Sequence, residues 1–287
     1  MVNLEGFIEM HVHGSPDVVP RKLSDLEIAK DAVQAKMYAV VLKSHLGSTV
    51  ARAELVNEAI NHQIKVLGGI ALNSFIGDWN TLALKTALHM GAKIVWMPTF
   101  TAKNHLDFER REGKAVNALS ALCTGLKGLT IFDEQNKIKK EVYTVLEIMG
   151  DNRDIPLCFG HLGLEEVRAL VPLAHKKGIQ KLIYNHPNNP INPVSLRDQK
   201  WLVEQGVLLE RTAVDPIQGL ADWNIIFKEI KETGIENNIF STDLGQRKNI
   251  RPVEGTALIV EKLVQAGFSS TDLALLLREN PKRMLNI

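Results

Sequence analysis

The chain has 287 residues, of which 45% are hydrophobic and 23% charged, and its formal net charge is +1. This balance is typical of a globular protein, and the scattered basic residues argue against nucleic acid or an anionic membrane as a partner. We therefore expect a small-molecule substrate.

Two further bulk features narrow the class. Cys123 and Cys158 are the only cysteines, too few for a disulfide framework or a thiolate metal site, so we expect two buried thiols. The amino terminus lacks the basic start and long apolar core of a signal peptide, and no later run approaches the ~20 apolar residues of a membrane span. The expected location is the cytoplasm.

In chain order, eight short apolar runs are each followed by a longer stretch with helical spacing, which is the pattern of βα units around a parallel sheet. The runs are GFIEMHVHG from Gly6, YAVVLKSH from Tyr38, KVLGGIAL from Lys65, KIVWMPTF from Lys93, PLCFGHLG from Pro156, KLIYNHP from Lys181, VLLERT from Val207 and NIFSTDLG from Asn238. Eight strands close a barrel. The sequence thus predicts an α/β fold, a (β/α)8 TIM barrel, as a single domain over residues 1–287.

The segments between the runs carry helix signals. LSDLEIAKDAVQAKM has Ser24 as a plausible N-cap before regularly spaced apolar residues. Glycine commonly ends helices, and a glycine stands just before four of the strands: Gly91, Gly178, Gly206 and Gly234.

One connection is unusually long. Between the fourth and fifth strands lie a charged segment, AKNHLDFERREGK, which we expect to be a loop, and GLTIFDEQNKIKKEV, which predicts a β-hairpin turning at Gln135 and Asn136. Insertions after barrel strands lie on the catalytic face. We expect this one to form a lid or an oligomer contact, and His105 to reach the site if the segment folds inward.

Histidines gather at the carboxyl ends of the strands, where a (β/α)8 barrel builds its active site. Five of the nine are there: His11 and His13 on the first strand, His45 on the second, His161 on the fifth and His186 on the sixth. The spacing of two places His11 and His13 on one face of their strand, a geometry that suits two ligands of one metal ion.

Asp243 ends the eighth strand, where a carboxylate can bind metal, take a proton from an attacking water or cap the next helix. Together with the histidines, the ligand role is favoured. Neutral imidazoles and a carboxylate are the ligand set of catalytic zinc, and also suit manganese, iron or nickel. We expect one or two divalent ions per chain, with zinc as the first choice.

The order of these residues resembles the amidohydrolase superfamily: His-x-His on strand one, single histidines on strands five and six, and an aspartate on strand eight. The tail ENPKRMLNI, from Glu279 to Ile287, is similar to the ending of TatD-like and amidohydrolase-2 members, and the opening HVHGSPDVVPRKLSDLEIAKDAVQAKMYAVVLKSH resembles a bacterial branch of the superfamily. The resemblance spans the chain. It implies that His11, His13 and Asp243 bind one metal ion, while His161 and His186 hold a second or contact the substrate.

Many two-metal members of this superfamily supply a bridging carboxylated lysine or a glutamate from strand four. This chain departs from that pattern. Strand four, KIVWMPTF, ends in Pro98 and Thr99 and offers neither a lysine nor a glutamate at that end. Lys43 on strand two, on the same face as His45, can replace it if carboxylated; otherwise it stays cationic and binds a substrate carboxylate or phosphate.

The remaining polar residues at the strand ends are assigned to substrate contact or support. We expect His45, Asn185 and Gln246 to contact substrate. Glu210, at the end of strand seven, is a candidate for orienting a metal ligand. His62, His89 and His175 fall in outer helices.

The sequence therefore predicts a metal-dependent hydrolase of a small-molecule amide, ester or lactone, with Asp243 as general base and a homo-oligomeric assembly. Three alternatives stay open: a one-metal deaminase or decarboxylase, a phosphoesterase, and a non-catalytic binding protein on the same fold.

Overall fold

The structure is a computed structural model that describes residues 2–113 and 118–287. Its strands pair in parallel, in the orders β1-β2-β3 and β4-β5-β6-β7-β8-β9. The strand bounds are β1 Ile8–Val12, β2 Ala39–Leu42, β3 Lys65–Gly68, β4 Ile70–Ala71, β5 Val95–Trp96, β6 Leu157–Cys158, β7 Leu182–Asn185, β8 Val207–Thr212 and β9 Asn238–Ser241.

Each of the eight predicted runs contains a strand, and the third run is divided at Gly69 into β3 and β4. A Cβ atom at Gly69 would lie 2.4 Å from the carbonyl oxygen of Ile94. The chain therefore approaches the neighbouring backbone too closely for any residue but glycine.

Backbone hydrogen bonds join the last strand to the first. The amide of Asp243 donates to the carbonyl of His11 at 2.8 Å, and the amide of His13 donates to the carbonyl of Leu244 at 2.8 Å. Across the division at Gly69, Lys93 donates to the carbonyl of Gly68 at 2.8 Å. The strands thus form a ring, and the predicted (β/α)8 barrel is confirmed.

The helices surround this ring. Their bounds are α1 Asp25–Gln34, α2 Val50–Ala59, α3 Thr81–His89, α4 Lys103–Glu112, α5 Ala118–Leu122, α6 Lys140–Asp151, α7 Leu164–Lys176, α8 Leu196–Glu204, α9 Val214–Ile217, α10 Trp223–Thr233, α11 Pro252–Gln265, α12 Ser270–Ala274 and α13 Asn280–Leu285. Ser24 caps α1 as predicted, in a capping box with Glu27. The four glycines predicted before strands all have positive φ.

The long connection after β5 is more helical than the sequence suggested. The charged segment expected to be a loop forms α4, in which Asp107 pairs with both Lys103 and Arg110. The last residue of that segment, Lys114, lies outside the described residues. The predicted hairpin is reduced to one antiparallel bridge between Phe132 and Ile138, with Asn136 in the turn.

An apolar layer underlies the carboxyl-terminal end of the barrel. The Trp96 ring lies 5.3 Å from Lys43 Nζ and 6.2 Å from the His11 ring, and it packs in a cluster with Val41 and Cys158. Both cysteines are free and buried. The layer supports the polar residues above it.

None of the helices in the two described ranges is both long and apolar enough to cross a membrane.

Candidate metal centre

A cavity of about 350 Å³ opens at the carboxyl ends of the strands. The predicted site residues that line it are His13, Lys43, His45, His161, His186, Asp243 and Gln246. His11 is fully buried in direct contact with this group. The structure thus brings together residues from the carboxyl ends of five strands, β1, β2, β6, β7 and β9.

Asp243 is the point on which the first strand's histidines converge. Its Oδ1 lies 3.1 Å from His11 Nε2 and 3.0 Å from His13 Nε2, while its Oδ2 lies 3.9 Å from His186 Nε2. Ligand atoms of His11, His186 and Asp243 all lie within 4.8 Å of one another. This spacing allows one ion to be shared among them after small side-chain adjustments.

The protonation states fit a cation site. Burial, together with the charge of Arg21, lowers the pKa of His13 to about 3, and burial lowers that of His186 to about 4. Both imidazoles are therefore neutral at pH 7 and have a lone pair available for metal. Burial alone would lower the pKa of His11, but the carboxylates of Asp243 and Glu210 raise it to about 9.

Asp243 is ionised. Although burial opposes the charge, His11 and His13 beside the carboxylate hold the pKa of Asp243 well below its usual range. Three imidazoles and one carboxylate that favour a nearby positive charge form a suitable donor set for zinc or a related divalent ion. The residues present therefore fit the metal that the sequence predicts.

Glu210 orients His11 from behind. Its Oε1 lies 3.2 Å from His11 Nδ1, and because an ionised carboxylate can only accept, Nδ1 carries the hydrogen. The opposite atom, Nε2, faces Asp243 and Lys43; because the pKa of His11 is about 9, Nε2 also carries a hydrogen, which it donates to Asp243 and which a bound metal ion would displace. Such carboxylate partners fix the ring orientation of metal-binding histidines.

His186 is held by a similar chain. Its Nδ1 lies 3.2 Å from Thr212 Oγ1, and that hydroxyl donates to Asp215 Oδ2 at 2.6 Å. Burial raises the pKa of Asp215 to about 7, and above this pH its carboxylate takes the Thr212 hydrogen, so the hydroxyl can only accept from the imidazole. His186 therefore directs the lone pair of Nε2 toward Asp243.

Two of the site residues adopt an unfavourable backbone conformation. His186 has φ 56° and Asp243 has φ 52°, both in the left-handed region, where a non-glycine residue costs about 1 kcal/mol or more. His186 directly follows β7, Asp243 stands two residues after β9, and both side chains lie at the barrel end. The surrounding hydrogen bonds offset this strain.

The residues predicted to contact substrate occupy different places. His45 and Gln246 line the cavity, where His45 Nδ1 lies 2.9 Å from Thr99 Oγ1 and Gln246 donates to the carbonyl of Asp243 at 2.9 Å. Asn185 is fully buried behind the wall. It donates to Glu210 Oε2 at 2.5 Å and accepts from the amide of Gly160, so it supports Glu210.

Several polar residues near the site were not singled out from the sequence. Glu9 accepts from the amides of His11, at 2.8 Å, and Thr242, and so joins the strands that carry His11 and Asp243. Its spacing of two from His11 was an available signal. Arg21 lines the cavity and donates through Nε and Nη2 to Asp17, but no local pattern identifies it.

The long insertion forms one wall of the cavity. Phe108 and Glu109 from α4 and Leu119 from α5 line it, and His105 points inward to contact His161. Phe100, Val19, Ile191 and Leu220 add apolar surface. The cavity therefore has a polar floor and largely apolar sides.

Solved structures with the same fold belong to the amidohydrolase superfamily. An amidohydrolase from Pseudomonas aeruginosa superposes with TM-score 0.66 at 12% identity, covering 98% of this chain and 96% of that one. A lactonase from Listeria monocytogenes gives 0.62 at 12%, with 99% and 95% covered. An amidohydrolase from Burkholderia multivorans with bound zinc gives 0.58 at 11%, with 98% and 99% covered. The other matches include 2,6-dihydroxybenzoate decarboxylases.

At these identities the likeness shows the fold, which is the barrel of the amidohydrolase superfamily, as the sequence predicted. No curated protein matches the sequence. The chain belongs to the family described as "Family of unknown function (DUF6282)", which matches residues 6–210. The matched range includes His11, His13, Lys43, His161 and His186 and ends at Glu210.

Proposed function

We propose that the protein is a metal-dependent hydrolase that acts on a small-molecule amide, ester or lactone. The observation that carries the proposal is the convergence of His11, His13 and His186 on Asp243 at the floor of a cavity. Three buried imidazoles, two of them neutral, around one carboxylate are typical of a cation-binding site. The hydrolases among the structural neighbours favour this class.

His11, His13, His186 and Asp243 would hold one divalent ion, and zinc is the first choice because the Burkholderia neighbour contains it. When bound, such an ion lowers the pKa of a water molecule and polarises a carbonyl oxygen. His161, across the cavity, and Lys43 would hold a second ion or contact the substrate.

In this proposal Asp243 is the general base. Its Oδ2 is the freer of its two carboxylate oxygens, since Oδ1 is shared by His11 and His13, so Oδ2 accepts the proton of the attacking water. Lys43, as an ammonium, then stabilises the oxyanion that develops on the substrate.

The cavity walls suggest how a substrate is held. Phe100 and Phe108 present apolar surface, whereas Arg21 uses only Nε and Nη2 for Asp17. Within the described residues Arg21 Nη1 makes no hydrogen bond, and it is the group we assign to a substrate carboxylate or carbonyl. His45 and Gln246 lie between these two regions and are proposed substrate contacts.

Lys43 presents a choice between two forms. Its Nζ lies 2.8 Å from His11 Nε2, so an ammonium there places a positive charge beside the atom that a metal ion needs. Carboxylation by CO₂ would remove this conflict and turn Lys43 into an anionic ligand; otherwise the side chain must swing away toward substrate. A loss of CO₂ on acidification, seen by intact mass, would identify the carboxylated form, and an unchanged mass would identify the amine.

The experiment for the proposed reaction is a hydrolysis panel. Zinc-loaded protein is assayed with lactones, aryl esters, amides and phosphate monoesters, with a chelator-treated sample as the control. Metal-dependent turnover of a carbonyl substrate supports the proposal. Turnover of phosphate esters alone would make the protein a phosphoesterase, and binding without turnover of any class would favour the non-catalytic alternative.

A one-metal decarboxylase is the second candidate. It is favoured by Thr99, which occupies the strand-four position and offers no bridging carboxylate; its hydroxyl instead accepts from Asn73 at 2.7 Å. The decarboxylases among the structural matches have the same fold. Release of CO₂ from aromatic acids by protein with one ion per chain would favour this candidate, and hydrolysis without CO₂ release would exclude it.

A further inference from the structure

Helix α4 of the insertion carries two polar residues that the proposed reaction does not use. His105 and Glu109 are one helical turn apart and so share a face. His105 is buried, and the Glu109 side chain is only 10% exposed. Polar side chains buried at the edge of a site need partners.

His105 connects to the site through His161. The two Nδ1 atoms are 2.7 Å apart, and the rings are nearly parallel, at 10°. A hydrogen bond between two ring nitrogens contains one hydrogen, so one histidine donates and the other accepts. Which of them donates decides what His161 presents to the cavity.

Glu109 determines the direction of this bond. Its Oε1 lies 3.5 Å from His105 Nε2 and accepts from Ser120 Oγ at 2.6 Å. Although burial opposes it, the hydrogen bonds from His105 and Ser120 lower the pKa of Glu109, so it is ionised at pH 7. An ionised carboxylate only accepts, so Nε2 of His105 carries the hydrogen that faces Glu109, and Nδ1 is the acceptor in the hydrogen bond with His161.

We infer that Glu109 and His105 are positioning residues that hold His161 as the Nδ1–H tautomer, with the Nε2 lone pair free for a ligand in the cavity. The arrangement parallels the chains from Glu210 to His11 and from Asp215 through Thr212 to His186. The inference deepens the proposed function, since it takes His161 as a metal ligand or substrate contact. It makes α4 part of the site and not merely a cover.

The direct test is the tautomer of His161 in metal-free protein at pH 7.5, read from the nitrogen shifts in long-range 15N–1H NMR of a histidine-labelled sample. The signals are assigned by their loss in His161→Gln. We expect a protonated Nδ1 and an unprotonated Nε2. A hydrogen on Nε2 in the wild-type protein overturns the inference, whether or not the protein binds metal or hydrolyses anything.

Variants separate positioning from packing. His105→Leu removes the acceptor of the Nδ1 hydrogen, so we expect His161 to shift toward the Nε2–H tautomer and metal affinity at its site to fall about 10–100-fold. Asp107→Asn, a carboxylate change on the exposed side of the same helix, should leave both unchanged. An unaltered His161 tautomer in His105→Leu, with the His186 signals in place, contradicts the inference; if that variant does not fold, the wild-type tautomer decides.

Discussion

Glu210 Oε1 lies 3.2 Å from His11 Nδ1, and both groups are buried. His11 and Glu210 reduce each other's cost of burial: the imidazole helps to hold the pKa of Glu210 at about 2 against desolvation, and the carboxylate fixes the imidazole tautomer. The two residues are 199 positions apart in the sequence, on β1 and β8, and their contact directs His11 Nε2 at Asp243.

Replacing Glu210 with Gln tests this pairing. The amide cannot enforce the Nδ1–H tautomer of His11, so we expect metal affinity to fall by about 10–100-fold. Competition with a chromophoric chelator measures the change. Glu204→Gln, at the exposed end of α8, is the matched control, and equal affinities in the two variants would argue against an orienting role.

Asp243→Asn removes the proposed general base. We expect turnover to fall by about 10²–10⁴-fold, the usual contribution of a positioned base, while far-ultraviolet circular dichroism stays unchanged. Asp222→Asn is the control, because Asp222 is an exposed N-cap of α10 and asparagine caps equally well. Full activity in Asp243→Asn would exclude it as the base.

The pH dependence of stability should report Asp215. Burial raises its pKa from 3.8 to about 7, so between these values the folded protein keeps a proton that the unfolded chain has lost. Unfolding then releases a proton, and stability falls as pH rises through this window. For Asp215→Asn the fall is absent, so its stability relative to the wild type should grow by up to about 1.4 kcal/mol per pH unit.

Urea unfolding of metal-free protein at about pH 5 and pH 7.5 measures the effect of Asp215→Asn. If the difference in unfolding free energy between wild type and Asp215→Asn is the same at both pH values, Asp215 ionises normally in the folded protein.

Gly160 precedes His161 and holds the turn at the end of β6. It has φ 59°, and a Cβ atom there would lie 2.5 Å from the carbonyl oxygen of Met97. Gly160→Ala should therefore destabilise the protein by about 1–3 kcal/mol and displace His161. Thermal unfolding measures the first effect. Gly206→Ala, at a positive φ with open space around it, should cost less; an equal loss would show that the close contact is unimportant.

The sequence predicted the parts of the site that depend on local pattern. Strand runs place their last residues at one end of a barrel, so His11, His13, His186 and Asp243 could be grouped without a structure. The fold confirms the eight runs, which could be predicted because apolar runs and helix stops are local properties of the chain. The helical form of α4 was missed because its charges suggested a loop, whereas Asp107 pairs with Lys103 and Arg110 along the helix.

What the sequence could not provide is the second layer of contacts. From its position in the sequence, Asn185 is expected to contact substrate. In the structure its side chain is buried behind the cavity wall, where it donates to Glu210. The approach of His105 to His161 joins residues 56 positions apart, and it depends on how the insertion packs. Such pairings arise from the packing between elements and leave no periodicity to detect.

The most direct measurement for the central claim is the metal content of the purified protein after zinc loading and gel filtration, determined by elemental analysis. We expect at least one ion per chain in the wild type and in the control His62→Gln/His89→Gln, whose histidines are exposed on the outer ring. We expect little metal in His11→Gln/His13→Gln. Wild-type protein without bound metal, or a His11→Gln/His13→Gln variant that binds as much as the control, would contradict the proposed metal centre.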